Sequence, residues 1–316
     1  MGKKLESAVA VLNGVVGDYL SRRGNSLATE MVFIYDQRAL VIDQATLRRA
    51  YPKAGKRLVI LVHGLMNTET AWTFTNGDDY GQLLARDFGD TAMYLRYNTG
   101  LPIADNGATL SALLDSIVAA YPAPLEELIL LGYSMGGLVL RSACHTASDS
   151  PTRWLPLVKR AIYVGTPHLG APMERVGRVI AKVLRVIPNP YTQLISELAN
   201  LRSDGIKDLG DADLRHQDRD PGRLSLRDAR HPVPLLPQLQ HYLLASTLSQ
   251  EPWLAALFGD SIVPLGSATN GACVNAETMA IPPSHIKILP SIAHIDLSRR
   301  PEIYEQIRAW CTPETT

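Results

Sequence analysis

Apolar positions along this chain follow two rhythms. Leu5, Val9, Leu12, Val16 and Leu20 recur at helical spacing. Arg22 and Arg23 suit a last helical turn and Gly24 a stop, so an amphipathic N-terminal helix packed against the domain is expected. Apolar runs at 31–35 and 40–42 predict an opening hairpin. Mostly apolar runs then recur at 57–62, 92–97, 128–131, 161–165, 242–246 and 286–289, that at 128–131 without a break. Such runs suit strands buried on both faces of a parallel sheet. Between them, Tyr80, Leu83, Leu84 and Phe88 mark one helix. Leu110, Leu113, Leu114, Ile117 and Val118 mark another, with Asn106 as its expected cap and Pro122 beyond its end. Pro301 opens a last helix carrying Ile303, Ile307 and Trp310 on one face. Strand and helix alternate, which predicts the α/β class: a mostly parallel central sheet with helices on both faces.

Residues 171–236 break the alternation. Helical patterns near 173–187 and 191–202 lead into a segment crowded with charge, from Asp204 to Arg230. Irregular segments of this length inside a compact domain commonly carry function, and 171–236 is expected to be a cap or lid inserted over the active face. No internal repeat and no second domain break 1–316, which is expected to be one domain.

Composition narrows the classes. The chain has 316 residues, 46% of them hydrophobic, enough for one large α/β domain. Lys plus Arg is 31 and Asp plus Glu is 31, a net charge of zero, without the basic excess of a nucleic-acid binder. Cys144, Cys273 and Cys311 are odd in number and widely spaced, which points to reduced thiols. No metal-ligand spacing emerges; the acids of the charged segment read as solvated charges, and no cofactor is expected. No apolar run reaches the roughly 18 residues of a membrane span. Lys3 and Lys4 precede an apolar stretch, but Glu6 and Asp18 interrupt it and no cleavage site follows. A cytoplasmic protein is therefore expected. Nothing in the sequence bears on oligomeric state.

The chemistry centres on Gly132-Tyr133-Ser134-Met135-Gly136. The apolar run 128–131 precedes it and a helical stretch follows, the strand–turn–helix context of a nucleophile elbow. The serine needs strained dihedrals for its hydroxyl to project, and the flanking glycines remove side chains that would collide. A serine hydroxyl also needs a histidine base and a carboxylate to orient that base. Behind such an elbow the order is Ser, acid, His. Asp260 follows the 242–246 strand, and His294 lies between the 286–289 strand and the last helix. They are the expected partners of Ser134. Asp296 is too close to His294 in sequence; His285, His231 and His241 precede strands; His145 follows the elbow helix. Two oxyanion donors are expected: the Met135 N–H, and an N–H from the loop after the 57–62 strand, Leu65 first and Met66 as the alternative. His63, Met66, Tyr133 and His168 are candidate pocket residues, with His63 and His168 also readable as loop-shaping.

His63-Gly64-Leu65, Gly132-Tyr133-Ser134-Met135-Gly136-Gly137 and Gly165-Thr166-Pro167-His168-Leu169-Gly170 together resemble the lipase-type α/β hydrolases. Leu95-Arg96-Tyr97-Asn98-Thr99-Gly100 and the 202–209 segment add a likeness to bacterial proteins similar to the GPI inositol-deacylase family. The resemblance runs from about Gly24 onward. It implies a Ser134–Asp260–His294 esterase acting on lipid-like or other carboxylic esters. Tyr133 stands where these lipases often have histidine, and Ser261 where glycine is common. GPI-anchor deacylation is not implied, because the membrane spans of that enzyme are lacking. Two other readings stay open. One is acyl transfer, separable by product analysis with competing alcohols. The other is a silent lipid-binding or scaffold protein, separable by its failure to take a fluorophosphonate label.

Overall fold

The computed structural model describes residues 3–172, 175–177, 203–218, 233–248, 260, 262–269 and 281–313. Among these, eight strands form one sheet in the order β2-β1-β4-β3-β5-β6-β7-β8. The strands are β1 (Val32–Tyr35), β2 (Arg38–Ala39), β3 (Arg57–Val62), β4 (Thr91–Arg96), β5 (Glu127–Tyr133), β6 (Val158–Val164), β7 (Gln240–Thr247) and β8 (Ile286–Pro290). β1 runs antiparallel to both neighbours, and every pairing from β4 to β8 is parallel. The chain crosses from β3 to β4 on one side, then returns to β5 on the other. That reversal opens a crevice at the carboxyl ends of β3 and β5, the place where open α/β sheets bind ligands.

Period-two alternation explains why β3 and β5 read as unbroken apolar runs. Leu58, Ile60, Val62, Leu128 and Leu130 enter one core, and Val59, Leu61, Ile129 and Leu131 enter the other. The first core is closed by α1 (Lys3–Arg22), α2 (Gln44–Ala50), α4 (Ile103–Ala120) and α5 (Met135–Ser148). The second is closed by α3 (Tyr80–Phe88) and by the last helix, Pro301–Cys311. Each fully buried Leu or Ile contributes about 1.5–3 kcal/mol relative to exposure. At the far ends of the strands, Arg57 bonds Asp90 at 2.9 Å and Arg160 pairs with Glu127 at 3.2 Å.

Two expectations are corrected. The returning hairpin strand is Arg38–Ala39, not 40–42, because Asp36 and Gln37 take positive φ (47° and 61°) and close a two-residue turn directly after Tyr35. Asn106 does not cap α4, which starts at Ile103. Its side chain is buried and donates to Asn98 O at 3.0 Å, while the Ile103 N–H is satisfied by Asp208 Oδ2 at 2.9 Å. α1 is kinked, with Val16 at φ −139° and ψ 19°.

Of the 171–236 segment, 173–174, 178–202 and 219–232 lie outside the described residues, and so do nearly all of the two expected helices there. What is described includes α6 (Asp204–Asp211), N-capped by Ser203, whose Oγ accepts from Ile206 N–H at 3.3 Å, and a four-residue helix α7 (Leu265–Ala268). The last helix, Pro301–Cys311, is α8. Cys144 and Cys311 are buried free thiols, with burial pushing both up to about 12; Cys273 lies outside the described residues. Among the described residues no helix is long and apolar enough to cross a membrane, and no group of three or more His, Cys, Asp or Glu could hold a metal ion.

Candidate active site

Ser134 stands between β5 and α5 with φ 53° and ψ −124°, a conformation that non-glycine residues rarely adopt. Close packing holds it there. A Cβ on Gly136 would stand 2.3 Å from Val62 O and 2.5 Å from His63 O; one on Gly132 would stand 2.6 Å from Gly137 Cα. The Ser134 N–H is bonded to Val164 O at 2.8 Å, which ties the turn to β6.

Asp260 and His294 come from the neighbouring loops past β7 and β8, at the same edge of the sheet. The His294 N–H donates to Asp260 O at 3.0 Å, and Ile292 N–H donates to Thr247 O at 3.2 Å, so the backbone itself joins these loops. Asp260 Oδ1 accepts from Ile262 and Val263 N–H at 3.1 and 2.8 Å. Its Oδ2 lies 2.6 Å from His294 Nδ1, and His294 Nε2 lies 2.8 Å from Ser134 Oγ. A carboxylate can only accept, so Nδ1 carries the proton and Nε2 is left to accept from the serine hydroxyl. All three residues are buried; Asp260 is fully so at 0% exposure.

Tyr133 braces the histidine from below. Its hydroxyl donates to His294 O at 2.8 Å, and its ring stacks on the imidazole with centroids 5.5 Å apart. Burial pushes the phenol well up from its ordinary value, so it remains a donor.

Met135 is the first residue of α5, where a helix leaves its N–H without an internal acceptor. Neither it nor the Leu65 N–H is paired among the described residues, whereas the Met66 N–H is taken by Thr99 Oγ1 at 3.2 Å. Of the two loop donors expected, Leu65 is therefore the available one. The Gly64 carbonyl in the same peptide unit accepts from His63 Nδ1 at 2.9 Å and from Asn67 N–H at 3.3 Å. A planar trans peptide then aims the Leu65 N–H the opposite way. Gly64 also lets this loop approach Ser134: a Cβ there would lie 3.0 Å from Ser134 Cβ.

A cavity of about 280 Å³ opens over Ser134 and His294. Leu65, Met66, Val176, Leu209, Ile262 and Ile295 supply its apolar wall, with Tyr133 behind; Asn67, Asp296, Ser298 and Arg299 supply a polar side. Leu209 belongs to α6 and Val176 to the short described turn at 175–177, so residues of the 171–236 segment reach the cavity. Met66 and Tyr133 thus stand among the residues around the cavity.

His63 and His168 do not line it. His63 is fully buried, stacked on Tyr97 with centroids 4.6 Å apart, and burial lowers its pKa to about 4. His168 is held behind the elbow helix: Arg141 Nη1 donates to its Nδ1 at 3.1 Å, and burial with the Arg141 charge keeps the ring neutral. Both shape loops. His241 lies within β7 rather than before it, His145 lies in the last turn of α5 and His285 just before β8; His231 is outside the described residues. Leu209, Ile262, Ile295 and Arg299 also line the cavity, beyond the residues the sequence marks out. The spacing of Ile295 and Arg299 from His294 was the one available signal, since a turn after the histidine brings them to the same mouth.

No protein-family model matches the sequence, and no curated protein does. Among solved structures, the chain is similar to the mature form of lipase BlEst2 from Bacillus licheniformis, at 22% identity over 76% of this chain and 86% of that one, with a TM-score of 0.46. It is also similar to the esterase Pf2001 from Pyrococcus furiosus, at 12% identity over 82% of each chain, with a TM-score of 0.46. A third is lipase 1 from Pelosinus fermentans, at 13% identity over 83% of this chain and 100% of that one, with a TM-score of 0.47. All three TM-scores lie below 0.5. The α/β-hydrolase fold therefore stands on the strand order and the elbow. The likeness to the GPI inositol-deacylase family has no support beyond the motifs that suggested it.

Proposed function

We propose that this chain is a serine carboxylester hydrolase with Ser134 as nucleophile, His294 as base and Asp260 as the group that orients it. The observation that carries this reading is the unbroken hydrogen-bonded row from Ser134 Oγ through the His294 ring to Asp260 Oδ2, at 2.8 and 2.6 Å, at the floor of a cavity. Ser134 Oγ attacks the ester carbonyl carbon while its proton passes to His294 Nε2. The carbonyl oxygen becomes an oxyanion facing the Leu65 and Met135 N–H groups. His294 returns the proton to the departing alcohol, leaving an acyl group on Ser134. Water then gives a proton to the same nitrogen and attacks the acyl carbon; Ser134 Oγ leaves, recovers the proton, and a carboxylic acid is released.

The apolar wall suits the hydrocarbon part of a lipid-like ester. The 171–236 segment, in the same proposal, is a cap belonging to the one domain, since α6 brings Leu209 to the cavity. In a Ser134→Ala variant, cleavage of p-nitrophenyl esters of graded chain length should disappear while the circular-dichroism spectrum and unfolding midpoint stay near wild type. Undiminished turnover would remove Ser134 from the mechanism.

A further inference from the structure

α1 is not part of the sheet or its crossovers, yet it packs on the loop that carries Leu65. The contact is at Gly14. A Cβ there would stand 2.3 Å from Met66 Cγ, 3.4 Å from Met66 Cα and 3.3 Å from Thr99 Oγ1. The last of these atoms is the acceptor that fixes the Met66 N–H, at 3.2 Å. Met66 itself holds φ +60°, the left-handed region that a side chain with a long stem disfavours. Two things thus keep Met66 in that conformation: the hydroxyl of Thr99, and a seat on α1 that exists because residue 14 has no side chain.

The same residue faces the other wall of the cavity through its carbonyl, which accepts from Ser203 Oγ at 2.6 Å. Ser203 is the N-cap of α6, the helix that presents Leu209. One turn further on, the Gly17 carbonyl accepts from Asn98 Nδ2 at 2.9 Å, and Asn98 Oδ1 accepts from Gly100 N–H at 3.0 Å. α1 therefore holds the 64–66 loop, the 98–100 turn and the start of α6 at once.

We infer that Gly14 is a positioning residue: through Met66 and Thr99 it sets the backbone that aims the Leu65 N–H at the reacting oxygen. The inference rests on the ester-hydrolase reading of Ser134 and Leu65. Oxyanion donors act only when placed within a few tenths of an ångström of the developing charge. A methyl group on Gly14 pushes on Met66 and on its tether together, and neither contact is the free end of a flexible chain.

The test is Gly14→Ala in the full chain, beside Tyr19→Ala, an exposed position on the same helix, as control. For a p-nitrophenyl ester, kcat in Gly14→Ala should fall about tenfold or more at nearly unchanged KM, because the loss is confined to the transition state. The control should keep both constants. Hydrogen–deuterium exchange of a peptide spanning 64–67 should accelerate in Gly14→Ala and not in the control. Should Gly14→Ala fail to fold, Thr99→Val removes the tether by a near-isosteric change outside the cavity wall and should show the same kcat loss and faster exchange. A folded Gly14→Ala (or, in its place, Thr99→Val) with wild-type kcat and wild-type exchange at 64–67 overturns the inference. A wild-type protein that cleaves no ester overturns the hydrolase reading instead, and the exchange measurement still decides whether Gly14 holds the loop.

Discussion

The Tyr133 hydroxyl donates to the backbone carbonyl of His294 at 2.8 Å, joining the residue before the proposed nucleophile to the residue proposed as its base. One buried side chain thus couples the elbow to the histidine loop. It also gives a role to a position where the resembling lipases often carry histidine.

Tyr133→Phe should therefore loosen the pair without emptying the core. The ring and its stack remain, while the His294 carbonyl loses its donor in a buried setting, at a cost of about 1–3 kcal/mol. The urea midpoint should fall accordingly, and kcat should drop several-fold with KM nearly constant. A variant matching wild type in both would show that the bond carries nothing.

Asp260→Asn tests the tautomer. An asparagine can keep the acceptor that Ile262 and Val263 N–H now use, so the fold should survive. Its amide would then present N–H groups to His294 Nδ1, moving the ring proton to Nε2, where it can no longer accept from Ser134. A fall in kcat of about 10⁴ is expected for an acid in this role. Steady-state rates with one p-nitrophenyl ester decide it; a loss under about tenfold would point to a different orienting acid.

The elbow glycines were legible because their spacing is sequential and the strand before them is apolar on both faces. β3 and β5 were legible for the same reason: Leu58 to Val62 and Leu128 to Leu131 feed two cores alternately, so no polar position interrupts them. Contacts across the sequence were not legible. The Asp208 that satisfies the start of α4 lies 105 residues away, and nothing near Asn106 announces that its amide is needed elsewhere. The hairpin return was misplaced because Asp36-Gln37 lacks the glycine that usually marks such a turn. His63 and His168 could be read as pocket or scaffold until burial separated them from the cavity.

Gly136→Ala should show how tightly the elbow is packed. The added methyl meets two backbone carbonyls, of Val62 and His63, neither of which can move without shifting β3. A loss of roughly 3 kcal/mol is expected from such overpacking. Chemical denaturation of the purified variant measures it, and a neutral result would mean that β3 and α5 can separate more easily than their contacts suggest.

Buried histidines make the fold sensitive to mild acid. Burial lowers His63 and His241 to about 4, and burial with the Arg141 charge also lowers His168, against about 6.5 in an unfolded chain. Between those values the unfolded state binds more protons, so stability rises with pH. The contribution is fully present above about pH 6.5 and is lost as pH falls toward about 4. Near pH 5, His63 and His241 should each have removed about 2 kcal/mol. Urea midpoints at about pH 7 and about pH 5 should differ clearly; coincident midpoints would mean that these rings gain protons in the folded state.

The central claim is that Ser134 is an activated nucleophile, and a fluorophosphonate probe reports on that directly. Intact-mass and peptide mass spectrometry should find one covalent adduct per chain, on Ser134, absent in Ser134→Ala and strongly slowed in Asp260→Asn. A folded wild-type protein that takes no adduct, or takes it on another residue, would contradict the account.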